Sequence, residues 1–89
     1  MPALTHDEVC HQVSAAIARL YPGLGCRRSR QGLKFLHPTE PSTLSVAPDD
    51  EGRFRILLEY TEPFAVVVSA SARNLARLLD VVRNWREGR

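Results

Sequence analysis

The chain has 89 residues, of which 44% are hydrophobic and 25% are charged, and its formal net charge is +2. A chain of this length is expected to form one soluble domain over residues 1–89, with a core too small to enclose a deep substrate cavity as well. These proportions disfavour an enzyme, and the small net charge means that any site for an anionic partner has to be local.

The first predicted element is a helix that begins after Thr5. The Thr5 hydroxyl can accept a hydrogen bond from the first turn, and Glu8, three residues later, can return one to the cap. An apolar stripe at helical spacing follows, until Tyr21-Pro22-Gly23 ends the run. The stripe consists of Val9, Val13, Ala16, Ile17 and Leu20.

Between Leu24 and Ser69 apolar residues recur at every second position, which is typical of strands with one buried face. Short turn-forming stretches separate the runs, and they leave no room for a crossover connection, so the strands are predicted to pair antiparallel as a meander. The last run, FAVVV at 64–68, is uniformly apolar, and we predict that it lies near the middle of the sheet.

A second helix is predicted after Ser71, which can cap its N-terminus. Its buried stripe is expected to comprise Ala72, Leu75, Leu78, Leu79, Val82 and Trp85. Both helices have to bury a stripe, and the simplest arrangement packs them side by side on one face of the sheet. The predicted fold is therefore α+β, in the order α-β-β-β-β-(β)-α, with an antiparallel meander sheet and both terminal helices on one face.

The other face of this sheet is left open and carries apolar residues among charges. Leu36 and Leu57 have the outward parity of Arg55 and Glu59, and Val67 joins them if its neighbours point inward. An apolar patch rimmed by charge is typical of a surface that binds another protein or a second copy of the same chain. We therefore predict a non-enzymatic protein-interaction module that binds through these residues. Its predicted partner is another protein or a second copy of the chain, and the second case would make it a homodimer.

The segment CRRSRQGLKF, residues 26–35, supports an alternative, because it places four cations in ten residues. Arginine binds phosphate through a bidentate fork, and an open sheet can present several such side chains. The aromatic residues Phe35, Phe54 and Tyr60 have the parity of the core, so no platform for stacking bases is predicted. The alternative is a nucleic-acid-binding accessory protein that holds phosphates alone, through Arg27, Arg28, Arg30, Lys34 and Arg55.

The remaining reactive residues do not form a pattern that supports catalysis or metal binding. His6 lies one helical turn before Cys10, but the chain has no CxxC or HxxxH pair that would complete a zinc site. Ser71 is explained by helix capping, and no histidine is predicted on a neighbouring element. No catalytic residue, metal or cofactor is expected.

The sequence also bears on the compartment. The N-terminus has acids close to its start and no long apolar run, unlike a secretory signal, and no stretch approaches the ~20 apolar residues that span a bilayer. Cys10 and Cys26 are too few for a disulfide scaffold, and the sequence leaves open whether they are bridged. We expect a cytoplasmic protein without a membrane partner.

Overall fold

The computed structural model describes residues 5–28, 30, 32–49, 51–62 and 64–88. In these residues two helices flank five strands, which form one antiparallel sheet in the order of the sequence. The elements are α1 (His6–Leu20), β1 (Gly25–Arg28), β2 (Leu33–Leu36), β3 (Ser42–Pro48), β4 (Phe54–Tyr60), β5 (Val66–Ala72) and α2 (Leu75–Glu87). The predicted α+β meander with both helices on one face is confirmed. No helix in the described ranges is long and apolar enough to cross a membrane.

Helix α1 begins as its capping sequence predicts. The Thr5 hydroxyl accepts a hydrogen bond of 3.1 Å from the backbone N–H of Glu8. The helix ends at Leu20, and the capping residue Tyr21 donates its N–H to the Ile17 carbonyl at 2.8 Å. Most of the predicted stripe is buried, but Leu20 in the last turn is 43% exposed.

The core lies between the two helices and one face of the sheet. Alternate residues of the three central strands are almost fully buried there, namely Leu33, Phe35, Leu44, Val46, Phe54 and Ile56. The helices cover them with Val9, Cys10, Val13, Ile17, Leu78, Val82 and Trp85. The aromatic rings of Phe35 and Phe54 therefore face the helices as predicted, and the partly buried Tyr60 packs against the same core.

A buried polar contact joins the end of α2 to the start of β3. The indole N–H of Trp85 donates to the hydroxyl of Ser42 at 2.8 Å, and both residues are buried. The His37 ring lies edge-on to the indole at a centroid distance of 5.1 Å, while its Nδ1 accepts hydrogen bonds from the backbone N–H groups of Thr39 and Glu40. These contacts fix the loop between β2 and β3 against α2.

Asp49 closes the turn between β3 and β4. Its carboxylate accepts hydrogen bonds of 2.8 Å from the backbone N–H groups of Glu51 and Arg53, and one of 3.1 Å from Arg53 Nε. These bonds, the backbone N–H of Arg53 foremost, hold the pKa of Asp49 below its usual value. The contribution of Asp49 to stability is therefore complete above the usual carboxyl pKa, and it is lost as the pH falls through the lowered value.

The predicted cap of the second helix is wrong. Ser71 and Ala72 lie in β5, opposite Arg55 and Phe54 of β4. The cap of α2 is Asn74, whose side chain accepts a hydrogen bond of 3.0 Å from the N–H of Arg77. Pairing with β4 continues through Ser71 to Ala72, so Ser71 cannot cap a helix. Ala72 is buried as part of the sheet.

The predicted central position of the last strand is also wrong. Within the part of the chain that the structure describes, β5 pairs with β4 alone and forms an edge of the sheet. Val66, Val67 and Val68 are 46%, 62% and 45% exposed, and Phe64, which precedes the strand, is 74% exposed. In a meander each short turn places a strand beside its predecessor, so the last strand has one neighbour whatever its composition.

Candidate functional site

The candidate site is the face of the sheet that the helices do not cover, called here the open face. The strand registers arrange its residues in rows that run across the sheet. One row consists of Gly25, Leu36, Thr43, Glu59 and Val67. The next consists of Arg27, Lys34, Ser45, Leu57 and Ser69. A shorter third row consists of Ala47, Arg55 and Ser71.

Three large apolar residues of the described chain lie on the open face. Leu36 and Val67 lie in the same row and are 41% and 62% exposed. Leu57 is half-buried at the centre of the face, where its cross-strand neighbours are the small residues Ser45 and Ser69. Because these neighbouring side chains are short, a partner that lies on the open face can contact the side chain of Leu57.

A shallow depression of about 260 Å³ lies in the middle of the open face. Its lining includes Lys34, Ala47, Arg55, Leu57 and Glu59, so it combines both signs of charge with apolar surface. Small-molecule sites occupy roughly 300–1,000 Å³ and enclose most of their ligand. The depression is smaller and open to solvent, and it suits one side chain of a partner better than a whole substrate.

In the described part of the chain, the charged side chains of the open face have no ion-pair partner. Arg27 lies directly opposite Lys34 in the ladder between β1 and β2, an arrangement in which like charges repel. Among the described residues no ion pair involves Lys34, Arg55 or Glu59. An acidic group bound between the cations would relieve this repulsion.

The structure divides the five cations of the predicted phosphate site. Arg27, Lys34 and Arg55 share the open face. Arg28 has the opposite parity, and its guanidinium donates to the Asp7 carboxylate in the first turn of α1. Arg30 is exposed in the turn between β1 and β2. The basic segment is therefore not a single surface, because alternate residues of β1 point to opposite sides of the sheet.

Cys10 and Cys26 lie near one another on the helix side of the sheet, and both are free thiols. Cys10 is buried, with its sulfur 3.9 Å from His6 Nδ1, whereas Cys26 is exposed on β1. Although the residue as a whole is exposed, its sulfur is partly shielded from solvent, which raises the pKa of Cys26, and the charge of a Cys10 thiolate raises it further. No group of three His, Cys, Asp or Glu residues in the described chain is placed to hold a metal ion.

We expect Cys26 to react slowly with iodoacetamide near neutral pH. The thiolate is the nucleophile, and a raised pKa lowers the thiolate fraction at any given pH. The rate of modification, followed by mass spectrometry across a pH series, should rise with a midpoint above that of a cysteine in an unstructured peptide. Cys10→Ala is the matched variant and should move the midpoint down. A midpoint at or below the peptide value would contradict the expectation.

Sequence reasoning missed one exposed surface. The apolar run that contains Phe64, Val66 and Val68 is predicted near the middle of the sheet, and the structure places it at the uncovered edge. The signal that identifies them is the meander itself, because its last strand has a free edge however apolar it is.

Comparison of the chain with protein-family models, curated proteins and solved structures finds no match. Its function therefore has to be inferred from the geometry of its surfaces.

Proposed function

We propose that this protein is a non-enzymatic interaction module that binds another protein through the open face of its sheet. The observation that carries the proposal is the exposed apolar surface of Leu36 and Val67 on this face, together with the half-buried Leu57, which has Arg55 and Glu59 two residues to either side of it on β4. Apolar surface at the centre of a patch with charge around it is the usual composition of a protein-binding site.

The charges around Leu57 indicate the kind of partner that fits. Arg55 lies two residues before Leu57 on β4, and Lys34 lies across β3 in the same row as Leu57. Glu59 lies two residues after Leu57 on the same strand and the same face, on the side away from Arg55. A segment with an apolar side chain over Leu57 and an acidic side chain toward Lys34 and Arg55 would satisfy both features.

Leu57→Asp is expected to weaken such binding roughly tenfold or more without unfolding the domain. Leu57 is half-buried on the open face and does not belong to the buried core, so the change places a carboxylate where the partner's apolar group would lie. The measurement is affinity for peptides selected from a random displayed library against the wild-type domain.

The control for this experiment is Ala76→Asp, which adds the same charge on the exposed side of α2. Its affinity for the selected peptides should stay within about twofold of the wild type. The proposal is contradicted if no peptide is enriched, or if enriched peptides bind the Leu57 variant as tightly as the wild type.

A second candidate function is binding of nucleic-acid phosphates. The observation that favours it is the cluster of Arg27, Lys34 and Arg55 on one face, with Arg27 and Lys34 directly opposite each other. Labelled mixed-sequence DNA and RNA can be titrated at low and near-physiological salt, with fluorescence anisotropy as the readout. Binding that persists at the higher salt and is lost when the three cations become alanine would select this function over the first.

A further inference from the structure

The exposed apolar residues of the described chain are concentrated at one edge of the sheet. Four of the six large hydrophobic side chains that are substantially exposed lie within a stretch of five residues. They form what we call the edge patch, which consists of Phe64, Val66, Val67 and Val68. Val66 and Val68 point to the helix side of the sheet and Val67 to the open face, so both sides of the strand are uncovered.

The backbone of β5 is open along the same edge. The strand pairs with β4 on one side, which leaves a row of N–H and C=O groups on the other. Natural edge strands avoid unwanted pairing by being short, by carrying charge or by including proline. β5 has seven residues, VVVSASA, with none of these features, whereas β1 at the opposite edge has four residues and carries Arg27 and Arg28.

We propose that β5 pairs antiparallel with β5 of a second copy of this chain, with Val67 on the two-fold axis. This pairing joins two five-stranded sheets into one continuous sheet. It places Val66 opposite Val68 of the second copy and Val67 opposite itself, so the valines of both strands cover one another. An uncharged strand makes this self-pairing without opposing like charges.

The residues that flank β5 are complementary in charge under the same symmetry. Glu62 precedes the strand and Arg73 follows it, both are exposed, and neither belongs to an ion pair among the described residues. Antiparallel pairing brings the Glu62 end of one strand against the Arg73 end of the other, and the two-fold axis repeats this contact. A second copy therefore fits the edge in shape, backbone and charge.

The size of the contact indicates a weak dimer. With Val67 on the two-fold axis, residues 66–68 of the two β5 strands lie opposite one another, a stretch of roughly 10 Å at about 3.3 Å per residue. An edge contact of this length, even with Phe64 packed across it, buries less than the ~800 Å² per partner of a stable interface. We expect a dissociation constant in the micromolar range.

The inference does not rest on the proposed function, because the edge patch and the open face share only Val67. Pairing through β5 would set the open faces of two copies side by side on one sheet. A partner with two copies of its binding segment would then bind more tightly than one with a single copy.

Sedimentation velocity over a concentration series tests the proposal with variants on the helix side of the edge. Val66→Lys and Val68→Glu are each expected to weaken dimerisation at least tenfold, because each places an unpaired charge against a valine of the second copy. An equal mixture of the two variants should dimerise again, because the introduced charges then face each other across the strands. Circular dichroism melting should confirm that both variants fold, since the replaced side chains are 46% and 45% exposed.

Val67→Arg should also weaken dimerisation, since it places two arginines opposite each other on the two-fold axis. Leu36→Lys is the matched control on the open face, and it should leave dimerisation unchanged while weakening peptide binding. The proposal is overturned if the wild type is monomeric up to about 1 mM, or if the three β5 variants dimerise like the wild type. Failure of the mixture to dimerise while the wild type does so would overturn the register centred on Val67. Loss of peptide binding alone would leave the dimer standing and overturn only the proposed function.

Discussion

Replacing Trp85 with alanine is expected to lower the free energy of unfolding by about 3–5 kcal/mol, the range observed when large aromatic residues are removed from protein cores. Trp85 is only 5% exposed and lies where α2 covers the sheet. The change removes the ring from the core, leaves the buried hydroxyl of Ser42 without its donor and abolishes the edge contact with His37. Small domains have total stabilities at the low end of about 5–15 kcal/mol, so a substantial fraction of this variant should be unfolded at room temperature.

Urea denaturation followed by far-ultraviolet circular dichroism measures this loss, because the chain has a single tryptophan and its fluorescence disappears with the substitution. Trp85→Phe removes the indole donor but keeps an aromatic ring in the core, and Ser42→Ala removes the acceptor of the same hydrogen bond. Ser42→Ala alone should cost about 1–3 kcal/mol, since it leaves a buried N–H unpaired. The double variant Trp85→Phe with Ser42→Ala should lose less stability than the sum of the two single variants, because both remove the same hydrogen bond. A loss below about 1 kcal/mol for Trp85→Ala would show that α2 is not anchored through this residue.

Gly32→Ala is expected to destabilise the domain by about 2–4 kcal/mol, through backbone strain and steric conflict. Gly32 has a φ of +152°, in a region that residues with side chains rarely adopt. A Cβ atom there would lie 1.9 Å from the carbonyl oxygen of Val46 and 2.9 Å from its carbon. These are backbone atoms of the central strand β3, so the conflict can be relieved only by moving the ladder between β2 and β3.

The matched control is Gly25→Ala in β1, where an added Cβ meets nothing within 4 Å. Its free energy of unfolding should differ from the wild type by no more than about 0.5 kcal/mol, in either direction. Thermal melting of the two variants side by side gives the comparison. Equal stability of the two would mean that the turn before β2 adapts to a side chain without disturbing β3.

The element order could be predicted because it depends on local patterns. In β4, Phe54, Ile56 and Tyr60 alternate clearly with residues of the other face. Thr5 and Glu8 form a capping pair that marks the start of α1. Short turns then leave few ways to connect the strands. The open face follows from the same alternation, and Leu36, Leu57, Arg55, Glu59 and Val67 do share one side of the sheet. Their role in binding stays a prediction.

The wrong predictions concern features that depend on distant parts of the chain. Ser71 and Asn74 are both good capping residues, and the choice between them is made by the extent of pairing with β4. The ion pair of Arg28 with Asp7 is not predicted from the sequence, because it joins residues 21 positions apart and requires the start of α1 to lie beside β1. The three valines Val66–Val68 look the same in sequence whether their strand is central or at an edge, because composition records hydrophobicity and not the number of neighbours.

The sequential order of the strands has a consequence for how the protein folds during synthesis. Each strand pairs with the one made just before it, so every hairpin can close as soon as its second strand emerges from the ribosome. The bond between Trp85 and Ser42 spans 43 residues and has to wait until the C-terminal helix is released. Until then the helix side of a finished sheet is only partly covered, so its apolar residues stay exposed to water during synthesis. Tryptophan emission should accordingly report the final docking step, after the sheet has formed.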